Sequence, residues 1–589
     1  MHGSTAQIES KSHWVLSTQH AAAKELAHKL KISTLLAQAL LSRGLAIEED
    51  CRAFLQPNLK MLHDPHTLPG AGPAAERIAR AIKDHQKIVI YGDYDVDGIT
   101  AAAILWHAIR LLGGDVSYYV PHRIEEGYGL NPQAVGQLID QGAQLIVTVD
   151  CGVTALESAK VARERGADLI ITDHHQFDAE GLPDCFAIVH PRLPGAAAAY
   201  PNPHLCGAGV AFKLAWQIGR AVTGNPRVTD EFRAFLIEAT ALAALGTIAD
   251  VVPLVGENRV LAHYGLSGLR ESKLTGIRAL IESAALTGKQ LDSYHVGFCL
   301  APRLNACGRM GHANLAVKML TEATEQEAKE IAAFLEEQNR ARQAMERSIL
   351  DEALAQLNDA QAALLSERAV VLASATWHPG VIGIVAARLV ERFCRPTVLV
   401  SLNNGQGQGS GRSIAGFHLA DALNACSPHL IAHGGHEMAA GLKIDPEKFE
   451  LFRRAFCDYA GQRVAPEMMR SQLNLEAPAE LSQMSEALVA DLARLGPFGH
   501  ANRRPIWLFR DVQLAMAPRV VGKTGQHLQL LIRQGNYRFK CIAFGHANLA
   551  ERLNPGDVLE LAAEPIINEF NGRRSVELDV KDLRMSGQP

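Results

Sequence analysis

Apolar residues recur at helical spacing up to about residue 70, over 21–31, 34–43 and 48–55, which predicts a helical lead-in spanning 1–73. Beyond it the period changes. Short apolar runs at 87–90, 116–120, 145–149, 169–171 and 187–189 alternate with helical stretches, the pattern of a largely parallel sheet in an α/β domain over 74–321. Residues 322–358 lack glycine and proline and are rich in glutamate, alanine, leucine and arginine. They predict one helix about 50 Å long at 1.5 Å per residue, a semi-rigid spacer within a connecting segment over 322–365. A second, smaller α/β domain is expected over 366–465, with strand-like runs at 370–373 and 397–401 and a helix opening at His378. From 466 to 589, alternating runs at 507–514, 528–533, 538–544, 558–561 and 576–580 are separated by turn residues, which predicts a small β-barrel. The expected fold class is therefore α/β, with a parallel-sheet domain and a smaller α/β domain joined by a long helix, followed by the barrel.

Composition narrows the class without naming a chemistry. A chain of 589 residues is too long for one core, and 48% hydrophobic with 21% charged residues is ordinary for a globular protein. The net charge of −5 means that any nucleic-acid surface must be a local groove rather than a basic shell. Ten cysteines are scattered with no CxxC pair, which argues against zinc and for reduced thiols in the cytoplasm. The first residues have no apolar signal core, and there is no run of about 18 consecutive apolar residues, so neither secretion nor membrane insertion is expected.

The chemistry sits where the apolar runs stop. The run at 87–90 leads into GDYDVDG, with Asp93, Asp95 and Asp97 at alternate positions and Gly98 at the turn into a helix over 99–112. That turn lies at the carboxyl end of a strand, the edge where open α/β sheets bind ligands. Crowded carboxylates call for a hard cation, although the residues alone also fit a solvated polar turn. No Glu stands at the twelfth loop position, so this is not an EF-hand. Two further strand ends deliver Asp150 and the triplet Asp173, His174 and His175 to the same edge, and an apolar helix over 235–245 runs into Asp250. In RLNACGRM, Arg303 and Arg309 flank a Gly/Asn turn with Asn305, a plausible phosphate clamp. Further on, GQGQGSGRS reads by itself as a flexible loop; beside HGGHEMAAG it offers Ser410, Arg412 and His436 as donors to an anion. Along the barrel Lys523, Arg533, Arg538, Lys540, Arg573 and Arg574 are interleaved with Tyr537, Phe539 and Phe570, a pattern suited to single-stranded nucleic acid. Gly522-Lys523-Thr524 is not a phosphate loop, because Ala517 and Pro518 stand where its first glycine belongs.

The motifs GDYDVDG, VDCG, TDHHQ and GTIADVVPL, in this order, resemble the DHH phosphoesterase superfamily. The resemblance implies two divalent cations, Mn²⁺ or Mg²⁺, with Asp95, Asp97, Asp150, His174 and Asp250 as ligands and Asp150 bridging. Tyr91 stands where the pyrophosphatase branch has a liganding His, which leaves Asp93 or water to complete the first site and points to the nucleases. The GRS and GGHxxAAG motifs resemble the DHHA1 domain, and RLNACGRM resembles the matching segment of the RecJ exonucleases. With the long helix and an OB-like tail, nearly the whole chain from about 70 onward is similar to that family. This resemblance implies hydrolysis of single-stranded DNA from 5′ to 3′ into 5′-mononucleotides, in repair and recombination. Asp173 is then expected to orient His174, His175 to contact the phosphate or assist proton transfer, Arg309 to bind phosphate, and Ser410, Arg412 and His436 to grip the 5′ end. Expected partners are single-stranded DNA and a single-strand-binding protein or helicase, with the chain a monomer. Two alternatives share these modules. A DHH/DHHA1 phosphodiesterase of short RNA or cyclic dinucleotides normally lacks the barrel and the lead-in, and a catalytically silent replication subunit would tolerate loss of ligands that are all present here.

Overall fold

The lead-in is not purely helical. It opens with a strand, β1 (His13–Leu16), before α1 (Ala23–Leu30), α2 (Thr34–Ser42) and α3 (Glu48–Leu55). The structure, a computed structural model, describes residues 8, 10–122, 126, 129–177, 181–359, 367–403, 405–570 and 572–587. Its contacts divide the chain into two units: a composite unit of Met1–Leu55, Ala344–Leu495 and Arg504–Pro589, and a central unit of Gln56–Gln343 with Gly496–Arg503.

In the central unit α4 (Ala71–Lys83) precedes β2 (Ile88–Gly92), α5 (Val96–Leu111), β3 (Val116–Tyr119), α6 (Pro132–Asp140), β4 (Leu145–Val149), α7 (Leu156–Glu164), β5 (Asp168–Thr172) and β6 (Ala187–Val189). The strands form one parallel sheet in the order β3-β2-β4-β5-β6. Every residue of β2 and β4 is buried, which is why these central strands read as unbroken apolar runs rather than as alternation. One face packs against α4, α5, α8 (Gly207–Thr223) and α9 (Asp230–Ala249), the other against α6 and α7. Helix α5 starts three residues earlier than its apolar pattern suggests. Asp95 caps it, accepting from the N–H groups of Asp97 and Gly98, so Gly98 lies in the first turn rather than at its threshold. Helix α9 is long and apolar enough to cross a membrane by length and composition, with a window of mean hydropathy 1.5, but 61% of that window is buried inside the protein. It packs against α5, α8 and α10 (Gly256–Glu271), and a helix apolar all round is expected in such a core.

After α11 (Thr275–Ser283), a continuous helical rod joins α12 (Ser293–His295), a π turn (Val296–Leu300) and α13 (Ala301–Arg309). The expected Gly/Asn turn in RLNACGRM is thus α13. Pro302 lies inside the continuous rod, two residues after the π turn, where the widened turn spares its ring the contact it would make in a regular helix, and Gly308 lies at the last turn. Then come α14 (Ala313–Leu320) and the spacer α15 (Glu325–Asp359), which begins in one unit and ends in the other; residues 360–366 lie outside the described residues.

The composite unit continues with β7 (Val370–Ser374), α16 (Pro379–Phe393), β8 (Thr397–Ser401), β9 (Gly407–Arg412), α17 (Leu419–Ala425), β10 (Ala432–Gly435), β11 (Ala439–Ile444) and α18 (Phe449–Arg463). Their sheet runs β10-β11-β9-β8-β7. Most of the GQGQGSGRS segment is therefore a paired interior strand, β9, not a loop. The glycines make it possible: a Cβ at Gly409 would lie 2.7 Å from Leu442, and one at Gly411 2.9 Å from Leu419. Next are β12 (Gln472–Leu475), β13 (Pro478–Ala479), α19 (Glu486–Ala493), β14 (Trp507–Leu514), β15 (Arg519–Val521), β16 (His527–Gln534), β17 (Tyr537–Ala543), β18 (Val558–Phe570) and β19 (Arg573–Met585). The order β13-β14-β18-β19-β17-β16-β15, with a further β14–β16 pairing, closes five of these strands into a barrel. Strand β1 pairs in parallel with β12, and Trp14 Nε1 donates to the buried Asp582 Oδ2 at 3.0 Å. The start of the chain thus belongs to the barrel's own unit.

Candidate metal centre

Parallel pairing of β2, β4 and β5 puts the residues that follow them on one edge of the sheet. Asp150 follows β4 with a left-handed φ of 62°, a conformation costly for a non-glycine residue and frequent at functional sites. Asp97 lies in the first turn of α5, where the N-terminus of α8 grips it: Gly207 N donates to Oδ2 at 2.5 Å and Ala208 N to Oδ1 at 2.8 Å. Unpaired N–H groups and the positive end of the helix dipole hold that carboxylate in place. Asp250 caps the C-terminus of α9. Two glycines let these helices close on the carboxylates. A Cβ at Gly207 would stand 2.6 Å from Asp150 Cβ, and one at Gly246 2.5 Å from Asp97 Oδ1. Sequence reasoning passed over this pair of contacts, although small residues at the start of α8 (CGAG) and near the end of α9 (LGTIA) carried the signal.

His174 Nε2 lies 3.1 Å from Asp150 Oδ1, 3.6 Å from Asp250 Oδ2 and 3.8 Å from Asp97 Oδ2. Donor atoms of Asp97, His174 and Asp250 lie within 4.8 Å of one another, as do those of Asp93, Asp95 and Asp150, and those of Asp150, His174 and His175. Asp150 is thus common to two neighbouring groups. Buried Asp150 Oδ1 and His174 Nε2 face each other at 3.1 Å out of hydrogen-bond alignment and have no other hydrogen-bond partner among the described residues, an arrangement that costs free energy unless something else satisfies them. Burial, then the neighbouring carboxylates, push Asp150 well above the usual carboxylate range; burial also raises Asp97, and burial with Asp97 and Asp95 raises Asp250 to about 9. Burial holds His174 down to about 4 despite Asp97, so its ring is neutral and able to ligate. Oxygen donors with one imidazole, orphaned and mutually repelling, fit a pair of hard divalent cations such as Mn²⁺ or Mg²⁺.

Asp173 serves a different ring from the one expected. Its Oδ1 meets His175 Nδ1 at 2.7 Å and accepts from the backbone N–H groups of His174 and His175, while Val153 N donates to Oδ2. Asp173 therefore orients His175 and touches His174 only through the main chain. Burial works against both charges, but their mutual hydrogen bond and attraction prevail, holding Asp173 at about 2 and raising His175 to about 9. Tyr91 is buried on the far side of the sheet, with its hydroxyl donating to Gly129 O at 3.2 Å. It is no substitute ligand, and Asp93 stands with Asp95 and Asp150 instead.

Two expected substrate contacts are engaged elsewhere. Arg303 pairs with Glu336 at 2.7 Å and donates to Cys299 O, and Asn305 Oδ1 accepts from Val96 N at 3.1 Å. Asn305 thereby ties α13 to the start of α5. Arg309 is half-buried at the end of α13, next to Gly308, where a Cβ would fall 2.0 Å from Tyr94 O; α13 thus lies directly against the carboxylate loop. In the composite unit Ser410 and Arg412 share one face of β9, with Arg412 Nη1 donating to Ser410 Oγ at 3.2 Å. That face lies against Gly383 of α16, where a Cβ would come 2.7 Å from Ser410 Oγ. His436 is exposed in the turn between β10 and β11. On the barrel, Arg533 pairs in register with Arg538 and Leu531 with Lys540, which sets these cations on one outer face; Lys523 and Tyr537 are exposed and Phe539 is half-buried. Arg574 instead pairs with Glu569 at 2.9 Å, and the side chain of Phe570 lies outside the described residues.

Comparison with known proteins agrees with this assembly of parts. The DHH family, N-terminal domain, matches residues 87–245, the DHHA1 domain 366–462 and the RecJ OB domain 475–582. The single-stranded-DNA-specific exonuclease RecJ of Bacillus subtilis is 38% identical over 582 residues, covering 98% of this chain and 72% of the relative. RecJ from Thermus thermophilus in complex with Mn²⁺ superimposes with a TM-score of 0.83 at 31% identity, over 98% of this chain and 80% of that one. The same protein in complex with Mg²⁺ gives a TM-score of 0.76 at 30% identity, over 98% and 79%. Carboxylate ring, DHHA1 sheet and closed barrel thus occur in one chain that matches these relatives over 98% of its length, and the chain belongs to the RecJ family.

Proposed function

We propose that this chain is a single-stranded-DNA-specific exonuclease that hydrolyses phosphodiester bonds from the 5′ end to 5′-mononucleotides, in DNA repair and recombination. The observation that carries the reading is the carboxylate ring with its orphaned buried Asp150 and His174. Asp93, Asp95 and Asp150 would hold one divalent cation, and Asp97, Asp150, His174 and Asp250 the second. Bound there, the pair supplies an activated water for in-line attack and neutralises charge on the scissile phosphate. The chain's own residues do the rest. The α8 N-terminus keeps Asp97 from swinging with its ligand, and Asp173 fixes the ring of a protonated His175, which donates to the phosphate or to the departing oxygen. Arg309 contacts a phosphate beside the carboxylate loop, while Ser410, Arg412 and His436 bind the 5′ end. Lys523, Arg533, Arg538, Lys540 and Arg573 carry the strand along the barrel by charge, and the exposed ring of Tyr537 at the end of β17 adds stacking. A ligand set drawn from one chain supports action as a monomer, and ten free cysteines suit the cytoplasm. A single-strand-binding protein or a helicase would supply the strand end.

The test uses 5′-labelled single-stranded and blunt duplex DNA with Mn²⁺ or Mg²⁺. Single strands should be shortened from the 5′ end and duplex spared, and Asp150→Asn should lower the rate by at least about 100-fold. Equal degradation of duplex, or full activity in the variant, overturns the reading.

A further inference from the structure

The rod that ends against the carboxylate loop carries, at its other end, a feature the proposed chemistry leaves unused. Tyr294 and Phe298 are 60% and 71% exposed, and their rings stack with centroids 4.9 Å apart and planes inclined by 27°. Tyr294 precedes the π turn and Phe298 lies in its middle; the turn buries both of its ends, Val296 and Leu300, and leaves Phe298 between them on the outside, four residues from Tyr294 on one helix face. Gly297 beside it opens onto empty space, so that among the described residues nothing covers the turn between the two rings.

We infer that Tyr294 and Phe298 form a stacking platform for an unpaired base of the DNA strand, a reading that rests on the exonuclease function proposed above. Continuity with the catalytic loop identifies the occupant. Seven residues further along the same rod Asn305 holds Val96 N, and Gly308 packs on Tyr94 O. At 1.5 Å per residue Phe298 is roughly 10 Å from Asn305 along the helix, about three nucleotides of a stacked strand at 3.4 Å each. A stacked aromatic pair offers one flat face to any base whatever its identity, which suits an enzyme that must hold every sequence it degrades. The same face disfavours the interior of a duplex, where a paired base has both faces covered by its neighbours. The platform would therefore be a specificity device as well as an anchor.

The experiment measures binding of 5′-phosphorylated oligothymidylates in EDTA by fluorescence anisotropy, with a single base-less nucleotide walked along the strand. In the unaltered chain, one or two positions near the 5′ end should weaken binding about tenfold when the base is missing. Tyr294→Ala/Phe298→Ala should bind the intact strand about tenfold more weakly and lose that positional sensitivity, whereas Phe298→Trp should keep both. In cleavage assays the double variant should show a raised KM with kcat unchanged. The inference is overturned if the double variant keeps the affinity and positional profile of the unaltered chain, or if its only change is in oligomeric state by sedimentation, which would make the pair a contact between copies. Binding in EDTA needs no turnover, so a chain that binds as described yet cleaves nothing with Mn²⁺ sinks the exonuclease reading instead.

Discussion

Asp250 keeps a proton to about pH 9 because it is buried beside Asp97 and Asp95, whereas a free Asp loses its proton near 3.8. Through this group the folded, metal-free chain holds a proton that the unfolded one has lost across that window, and the stability Asp250 contributes falls as pH rises from about 4 toward 9. A divalent cation takes the proton's place, so cation affinity should rise with pH and binding should release protons. Calorimetric titration of Mn²⁺ in buffers of different ionisation enthalpy, below and above neutrality, reads both effects; a pH-independent affinity with no proton release would contradict them. His175 shifts in the same direction with the opposite charge. Its bond to Asp173 keeps it protonated up to about pH 9, above the ordinary 6.5. Asp173→Asn should lower kcat by about 10- to 100-fold and move the basic limb of the rate profile to lower pH, while an unmoved limb would remove His175 from proton donation. That partnership was hidden in the sequence. Asp173 is one residue from His174 and two from His175, and only the path of the chain after β5 decides which ring the carboxylate meets.

Among the elements, the strands of the parallel sheet were the most legible, because burial on both faces leaves an unbroken apolar run with no competing pattern. The misreadings concern glycine, asparagine and proline. In α13 these residues suggested a turn, yet Pro302 follows directly on the π turn within one rod, and Gly308 is required by the backbone of Tyr94 rather than by a turn. In β9 the alternating glycines suggested a loose loop, whereas Leu442, Val400 and Leu419 fill the space their side chains would take. Close approach, not flexibility, explains both. Gly246 is the sharpest case at the metal centre. Gly246→Ala would press a Cβ against Asp97 Oδ1 and Ala208 Cβ, each 2.5 Å away. The expected cost is about 1–3 kcal/mol of stability together with a loss of cation affinity, read by calorimetry and Mn²⁺ titration. Destabilisation with unaltered affinity would mean that α9 shifts without carrying Asp250.

Across the whole chain, the order of modules was legible but the grouping of distant segments was not. Short apolar stretches such as 13–16 and 472–475 carry no mark of their mutual pairing, since register between strands more than 400 residues apart depends on the folded core and not on local pattern. Trp14 ties this pair to the barrel through its hydrogen bond to Asp582 and by lying 4.5 Å under the guanidinium of Arg584. Trp14→Ala should cost about 2–4 kcal/mol, lowering the unfolding temperature of the composite unit and leaving Mn²⁺ binding intact. If differential scanning calorimetry shows no change, the strand is dispensable.

Residues Gly496–Arg503, though they lie between α19 and β14 in the chain, belong to the central unit. There His500 O accepts from Leu254 N at 2.9 Å, and Gly499 would meet the Leu254 side chain at 2.7 Å if it carried a Cβ, four residues beyond Asp250. Inheritance of the modules is constrained accordingly. A recombination event that exchanged the barrel and its preceding helix as one block would carry off the eight-residue clasp on the Asp250 loop and replace it with one evolved against a different partner. Barrels of this kind should therefore be interchangeable between relatives only when the exchange point falls after Arg503, and catalytic and nucleic-acid-binding parts are bound to vary together at this seam while diverging freely elsewhere.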